Sequence, residues 1–133
     1  MTVPAIEPRP LVLVADDDED ILTLVSFRLE RVGCEVVKAR SGDEALEVAS
    51  ELVPDLAVLD AMMPGLDGYE VTRQLRRAEP TRDMPIILLT ARAQEADVAR
   101  GMAAGADDYV RKPFDAKDLR ERVQKLLGPR LAT

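Results

Sequence analysis

The sequence predicts an α/β fold in which one parallel sheet is covered by helices on both faces. Three observations carry this prediction. Short apolar runs of strand length alternate five times with segments of helical period. Those runs are continuous rather than alternately apolar and polar, as strands buried on both faces require. Several of them stop abruptly on a carboxylate or a hydroxyl. Strands alternating with helices imply right-handed crossovers and a single sheet.

Met1 to Pro10 contain Pro4, Pro8 and Pro10 and are expected to form an extended leader. Leu11 to Ala15 is the first strand, stopped by the acidic run Asp16-Asp17-Asp18-Glu19-Asp20. Ile21, Leu22, Val25, Leu29 and Val32 then recur at helical spacing, with Asp20 or a neighbour as cap and Gly33 as terminator. Glu35 to Ala39 is the second strand. Ser41-Gly42-Asp43-Glu44 signals a helix start, and Ala45, Leu46, Ala49, Leu52 and Val53 give that helix an apolar stripe closed by Pro54.

The third strand runs from Asp55 to Leu59 and meets Asp60. An ionised Asp is too costly to bury inside such a sheet, which places Asp60 at the strand's carboxyl end, facing a crevice. In open α/β sheets that edge is where ligands bind. Met63-Pro64-Gly65 turns the chain, and a third helix follows over Tyr69 to Ala78. Pro85 to Leu89 is the fourth strand, ending on Thr90. Glu95 to Ala104 is the fourth helix, ended by Gly105. Asp108 to Val110 is a brief fifth strand leading into Lys112-Pro113. Ala116, Leu119, Val123, Leu126 and Leu127 mark the last helix, ended by Gly128-Pro129.

A chain of 133 residues suits one domain. The expected division is a leader over 1–10, a folded domain over 11–128 and a tail over 129–133. Hydrophobic residues make up 47% and aromatic ones only 3%, so aliphatic side chains must fill the core. The net charge of −7 and the lack of a Lys/Arg cluster argue against direct nucleic-acid binding. With one cysteine and no histidine, an internal disulfide, a soft metal site and a His-assisted nucleophile are all excluded. No apolar run is long enough to cross a membrane, and the N-terminus lacks a signal-peptide pattern, so a cytoplasmic protein is expected.

Parallel strands bring their carboxyl ends to one edge, where Asp16, Asp17, Asp60, Thr90 and Lys112 can share a crevice. Gathered carboxylates raise each other's pKa unless a cation intervenes. A hard divalent ion answers that need, and Mg2+ typically takes one or two carboxylates plus water and phosphate oxygens. Asp60 can then serve as a nucleophile toward phosphorus, with Lys112 and Thr90 offering a charge and a hydroxyl to the phosphoryl oxygens. Singly, each residue has a plainer explanation. The acidic run is also a good helix start, Asp60 a turn residue, Thr90 a structural hydroxyl, Lys112 a solvated lysine, Tyr109 a core ring with a wet tip, and Met62 and Met63 soft packing. Their convergence on one sheet edge favours the joint reading.

At these residues the chain resembles the receiver domain of two-component response regulators, and is similar to the single-domain chemotaxis type. The matching stretches are Leu13-Val14-Ala15-Asp16-Asp17, Asp60-Ala61-Met62-Met63-Pro64-Gly65-Leu66-Asp67-Gly68, Leu89-Thr90-Ala91, and Gly105-Ala106-Asp107-Asp108-Tyr109 running into Lys112-Pro113-Phe114. They span the chain from Leu11 to Leu127. The resemblance implies a flavodoxin-like (βα)5 fold with strand order 2-1-3-4-5. It implies that Asp60 is the phosphoacceptor, charged by a sensor histidine kinase, a phosphotransfer protein or a small phosphodonor. Asp17, Asp60 and the Met62 backbone carbonyl match the Mg2+ ligands, with Asp16 holding the ion through water and Mn2+ able to substitute. Thr90 and Tyr109 match the switch pair, Lys112 the ion-pairing lysine, and Pro113 the residue of an often cis peptide bond.

Asp97, Asp107-Asp108-Tyr109, Asp118-Leu119 and Arg122 resemble the winged-helix transcription-factor branch, while Arg111 departs from it. That likeness implies homodimerisation through helix 4, strand 5 and helix 5. Two other readings stand beside the switch. One is a degenerate receiver acting as a scaffold without phosphorylation, which the retained Asp, Thr and Lys positions oppose. The other is a Mg2+-dependent phosphatase with an aspartyl nucleophile, resembling haloacid dehalogenases. The acidic run at the first strand lacks the Thr or Val of their motif, and no cap insertion is present.

Overall fold

The computed structural model describes residues 9–91 and 94–128. Five strands form one parallel sheet: β1 (Leu11–Ala15), β2 (Glu35–Ala39), β3 (Leu56–Asp60), β4 (Ile86–Thr90) and β5 (Asp108–Arg111). Their order is β2-β1-β3-β4-β5. Five helices follow them in turn: α1 (Glu19–Arg31), α2 (Gly42–Leu52), α3 (Gly68–Arg77), α4 (Glu95–Ala104) and α5 (Ala116–Leu127). The expected (βα)5 architecture and strand order are therefore observed. The proposed leader residues 1–8 and the tail residues 129–133 lie outside the described residues.

Alternate residues of the central strands feed two separate cores. Leu13, Ala57, Leu59, Ile86 and Leu88 pack under α2, α3 and α4 against Ala45, Ala49, Val71, Leu75 and Ala104. Val12, Val14, Val58, Ile87, Leu89 and Val110 pack on the other face against Leu22, Val25, Leu29, Leu119 and Val123 of α1 and α5. β3 and β4 are buried at every residue, which is why their sequences read as unbroken apolar runs.

Both of those strands run one residue further than their apolar runs. Asp60 stands in register with Leu89, and the Ala61 N–H donates to the Leu89 carbonyl at 3.1 Å. Backbone pairing with β4 thus carries the strand into the acidic residue. The caps also sharpen the expected boundaries. α1 starts at Glu19 because the Asp18 carboxylate, rather than that of Asp20, accepts the N–H groups of Asp20 at 2.9 Å and Ile21 at 3.3 Å. Ser41 caps α2 through the Glu44 N–H at 3.1 Å. Gly33 (φ 100°) lets the chain leave α1, a left-handed conformation that costs a side chain-bearing residue more. After α3, Pro80 sits inside a single 3-10 turn over Glu79–Thr81, which the sequence patterning did not indicate.

Cys34 is fully buried against the α1–α5 core, and burial pushes its thiol up to about 11. A neutral, enclosed thiol reacts poorly. At pH 8 a thiol-reactive probe is expected to label native protein only at the rate of global unfolding, and to label urea-unfolded protein within minutes. Rapid stoichiometric labelling of the native form would contradict this placement.

Candidate functional site

Three strand ends and one loop build the site. β1 ends at Ala15 and delivers Asp16 and Asp17, β3 delivers Asp60 as its last residue, and β4 delivers Thr90 as its last. β5 ends at Arg111 and is followed by Lys112. The backbone fixes these ends against one another. The Asp16 N–H donates to Ala39 at 3.1 Å, the Lys112 N–H donates to Thr90 at 2.7 Å, and the Gly68 N–H donates to Ala61 at 3.0 Å, folding the β3–α3 loop back on the strand.

Carboxylate oxygens of Asp16, Asp17 and Asp60 all lie within 4.8 Å of one another. Asp16 and Asp60 are buried, at 1% and 5% exposure, whereas Asp17 is open to solvent. Lys112 supplies a cation to this cluster. Its Nζ is 2.8 Å from Asp16 Oδ2 and 3.6 Å from Asp60 Oδ1. The other Asp16 oxygen accepts the Asp18 N–H at 2.9 Å, and Asp60 Oδ1 accepts the Met62 N–H at 3.2 Å.

These contacts leave the site short of positive charge. Burial is the main influence on Asp60 and raises its carboxyl to about 7, helped by the Asp16 charge and opposed by the Met62 N–H and Lys112. Among the described residues, three clustered carboxylates face the Lys112 ammonium. The donor set is all oxygen, with no sulfur or imidazole, which suits a hard ion such as Mg2+. Asp16, Asp17 and Asp60 are the residues able to hold it.

The structure gathers Asp16, Asp17, Asp60 and Lys112 into one cluster, sets Thr90 at the end of the neighbouring strand, and adds partners. Thr90 is fully buried, and its side chain reaches the Tyr109 phenol. The Tyr109 hydroxyl lies 3.1 Å from that of Tyr69, a fully buried residue of α3. Burial and the Tyr69 hydroxyl hold the Tyr109 phenol well above its ordinary pKa. Arg100 of α4 places its guanidinium 4.2 Å from the centre of the Tyr69 ring. Tyr69 and Arg100 were not expected to matter. The one hint in the sequence is that this chain has only two tyrosines, and a phenol on an otherwise apolar helix stripe asks for a partner. The Lys112–Pro113 peptide bond is cis. Arg92, a residue near the site in sequence, lies outside the described residues.

Charged residues of the branch-like stretches find partners within the chain. Arg122 Nη1 is 2.6 Å from Asp108, its Nε is 3.1 Å from Asp118, and Arg76 is 2.9 Å from Asp107. Among the described residues, no helix is long and apolar enough to cross a membrane.

Known proteins agree with this geometry. The model of the response regulator receiver domain matches residues 12–124. The alkaline phosphatase synthesis transcriptional regulatory protein PhoP of Bacillus subtilis is 47% identical over 116 residues, covering 87% of this chain and 48% of PhoP. The receiver domain of the Francisella response regulator 1452 superposes with a TM-score of 0.83 at 36% identity, covering 89% of this chain and 96% of that one. The receiver domain of the Pseudomonas aeruginosa sensor histidine kinase PA1611, which has a magnesium ion coordinated in its active-site cleft, superposes at 0.85 with 32% identity, covering 91% and 99%. The chain spans about half the length of the curated relatives it matches. Fold, acidic crevice and sequence converge, and the chain belongs to the response regulator receiver domains, the phosphorylation-dependent switches of two-component signalling.

Proposed function

We propose that Asp60 is the phosphoacceptor of this receiver. The observation that carries the reading is its position: a buried carboxylate at the end of β3, between two further carboxylates and the Lys112 ammonium. One Asp60 oxygen forms the bond to phosphorus as the bond to the donor breaks. The donor is a phosphohistidine of a sensor kinase or phosphotransfer protein, or a small phosphodonor, and its leaving group departs on the side away from Asp60. When bound, Mg2+ would supply positive charge to the phosphoryl oxygens, and Mn2+ could substitute for it. Asp17, Asp60 and the Met62 carbonyl are its proposed protein ligands, with Asp16 acting through water.

Lys112 neutralises part of the charge that the phosphoryl group adds, and Thr90 offers it a hydroxyl. Occupation then favours one of two conformers of the α4–β5–α5 face, whose Tyr109 ring reports the switch. The chain catalyses only its own phosphoryl uptake and loss. Its family membership supports this over a phosphatase of small esters, and the complete Asp, Thr and Lys set supports it over a silent scaffold. For output we propose partner binding or homodimerisation through α4, β5 and α5, in the cytoplasm, without direct contact to nucleic acid by this domain.

Intact mass after incubation with acetyl phosphate and Mg2+ tests the assignment. The parent protein is expected to gain one phosphoryl group, and Asp60→Asn to gain none. Prior chelation abolishes the gain. Equal uptake by the Asn variant would remove Asp60 from this role, and no uptake by either protein would leave the scaffold reading.

A further inference from the structure

Tyr69 is fully buried on α3, yet it is an aromatic with a polar end. A buried phenol needs a hydrogen-bond partner. Among the described residues the partner of its hydroxyl is the Tyr109 hydroxyl, 3.1 Å away on β5. The dependence runs both ways. If Tyr109 turns outward, the Tyr69 hydroxyl is left in the interior without a mate. Two contacts tie α4 into the same cluster. The Arg100 guanidinium lies 4.2 Å from the Tyr69 ring centre, and its Nη2 is 3.5 Å from Asp67, the cap of α3. At Gly101, α4 comes so near the Tyr109 ring that a Cβ would stand 2.8 Å from Cδ2.

We propose that Tyr69 is a positioning residue of the switch: its hydroxyl holds Tyr109 inward, and its ring, gripped by Arg100, joins that position of Tyr109 to the docking of α4 on α3. The proposal rests on the reading of Tyr109 as the switch aromatic and deepens it. It adds a third hydroxyl, on α3, to the pair Thr90 and Tyr109. In consequence the inward conformer is favoured before any phosphoryl group arrives, and the strength of that bias is set by α3 rather than by the acidic crevice.

The chain suits a direct test, because it has two tyrosines and no tryptophan. Protein carrying 13C-labelled tyrosine gives two ring signals, assigned with Tyr69→Phe and Tyr109→Phe. In metal-free protein without phosphodonor, Tyr69→Phe is expected to move the Tyr109 signal toward that of an exposed tyrosine. Loss of one such hydrogen bond corresponds to about a fivefold fall in the inward-to-outward ratio. A Tyr109 signal unmoved by loss of the Tyr69 hydroxyl overturns the proposal. If Tyr69→Phe fails to fold, Arg100→Gln decides, since Arg100 is exposed: the Tyr109 signal is expected to shift in the same direction, and no shift overturns the coupling to α4.

Addition of Mg2+ and beryllium fluoride, a phosphoryl mimic, is expected to draw the Tyr109 signal of Tyr69→Phe back inward. That step, with phosphoryl uptake by mass, reports on the receiver reading. The metal-free comparison reports on Tyr69 alone, so the two can fail separately.

Discussion

Gly42→Ala and Gly68→Ala are each expected to destabilise the protein by about 3 kcal/mol, the upper range for an overpacked methyl. Neither glycine has a backbone that demands glycine, since neither is among the residues with positive φ. What each lacks is room. A Cβ on Gly42 would overlap the Leu66 backbone carbonyl, so the start of α2 rests directly on the loop that follows β3. A Cβ on Gly68 would overlap the Asp60 carbonyl and stand 2.8 Å from Ala61 Cα, so the start of α3 rests on the strand end itself. These neighbours are backbone atoms and cannot swing aside as a flexible side chain would. Urea unfolding of the two variants, with Glu47→Ala on the exposed face of α2 as control, measures the effect. The control is expected within 0.5 kcal/mol of the parent, about the usual span for surface changes. Because Gly68 abuts Asp60, Gly68→Ala is also expected to weaken Mg2+ binding, whereas Gly42→Ala weakens it less. A stability loss below about 1 kcal/mol in both would mean that the β3–α3 loop yields easily.

Asp60→Asn is expected to stabilise the metal-free protein at pH 8, even as it abolishes phosphoryl uptake. Burial raises the Asp60 carboxyl to about 7, against an ordinary carboxylate value of 3.8. A group raised in the folded state contributes stability that is complete below its unfolded pKa and is lost as pH rises through the folded one. The parent, in chelator, should therefore lose stability between about pH 4 and pH 7 through this group. Asn carries no charge to bury, so the variant escapes that loss. The expected difference is about 2 kcal/mol at pH 8, or about 8 °C in unfolding midpoint for a domain of this size. Below pH 4 the two curves should converge. Mg2+ should raise the parent's midpoint by mass action and leave the variant's nearly unmoved. Parallel curves across the whole pH range would show that Lys112 and the Met62 N–H fully compensate the buried charge.

The two experiments bear on one design. Stability is spent at the acidic crevice, where like charges are held together for an incoming ion and phosphoryl group. It is recovered in the closely packed helix starts around it, where Gly42 and Gly68 let backbone rest on backbone. The Tyr69–Tyr109 pair then connects this rigid base to α4.

Much of this was legible in the sequence alone. Strands buried on both faces must be continuous apolar runs, so β1, β3 and β4 announced themselves, and a parallel sheet sends their carboxyl ends to one edge by topology. Hence Asp16, Asp17, Asp60, Thr90 and Lys112 can be gathered from the sequence, each at a strand end or just beyond it. The helix starts were visible through short polar side chains, although a run of five acidic residues could not say that Asp18 would be the cap, since that depends on which backbone N–H groups face which carboxylate. Only the tertiary structure decided the rest, because each remaining feature is a distance between residues far apart in the chain. Tyr69 reads only as the first residue of the third helix, and its partner lies 40 residues on. Gly42 and Gly68 read as helix-start and turn residues, while the need for them comes from the β3–α3 loop and the β3 strand end. The charge state of Asp60 follows from how deeply the sheet edge is covered and how many carboxylates share it. Periodicity specifies what each segment buries, and the packing of segments specifies which atoms then meet.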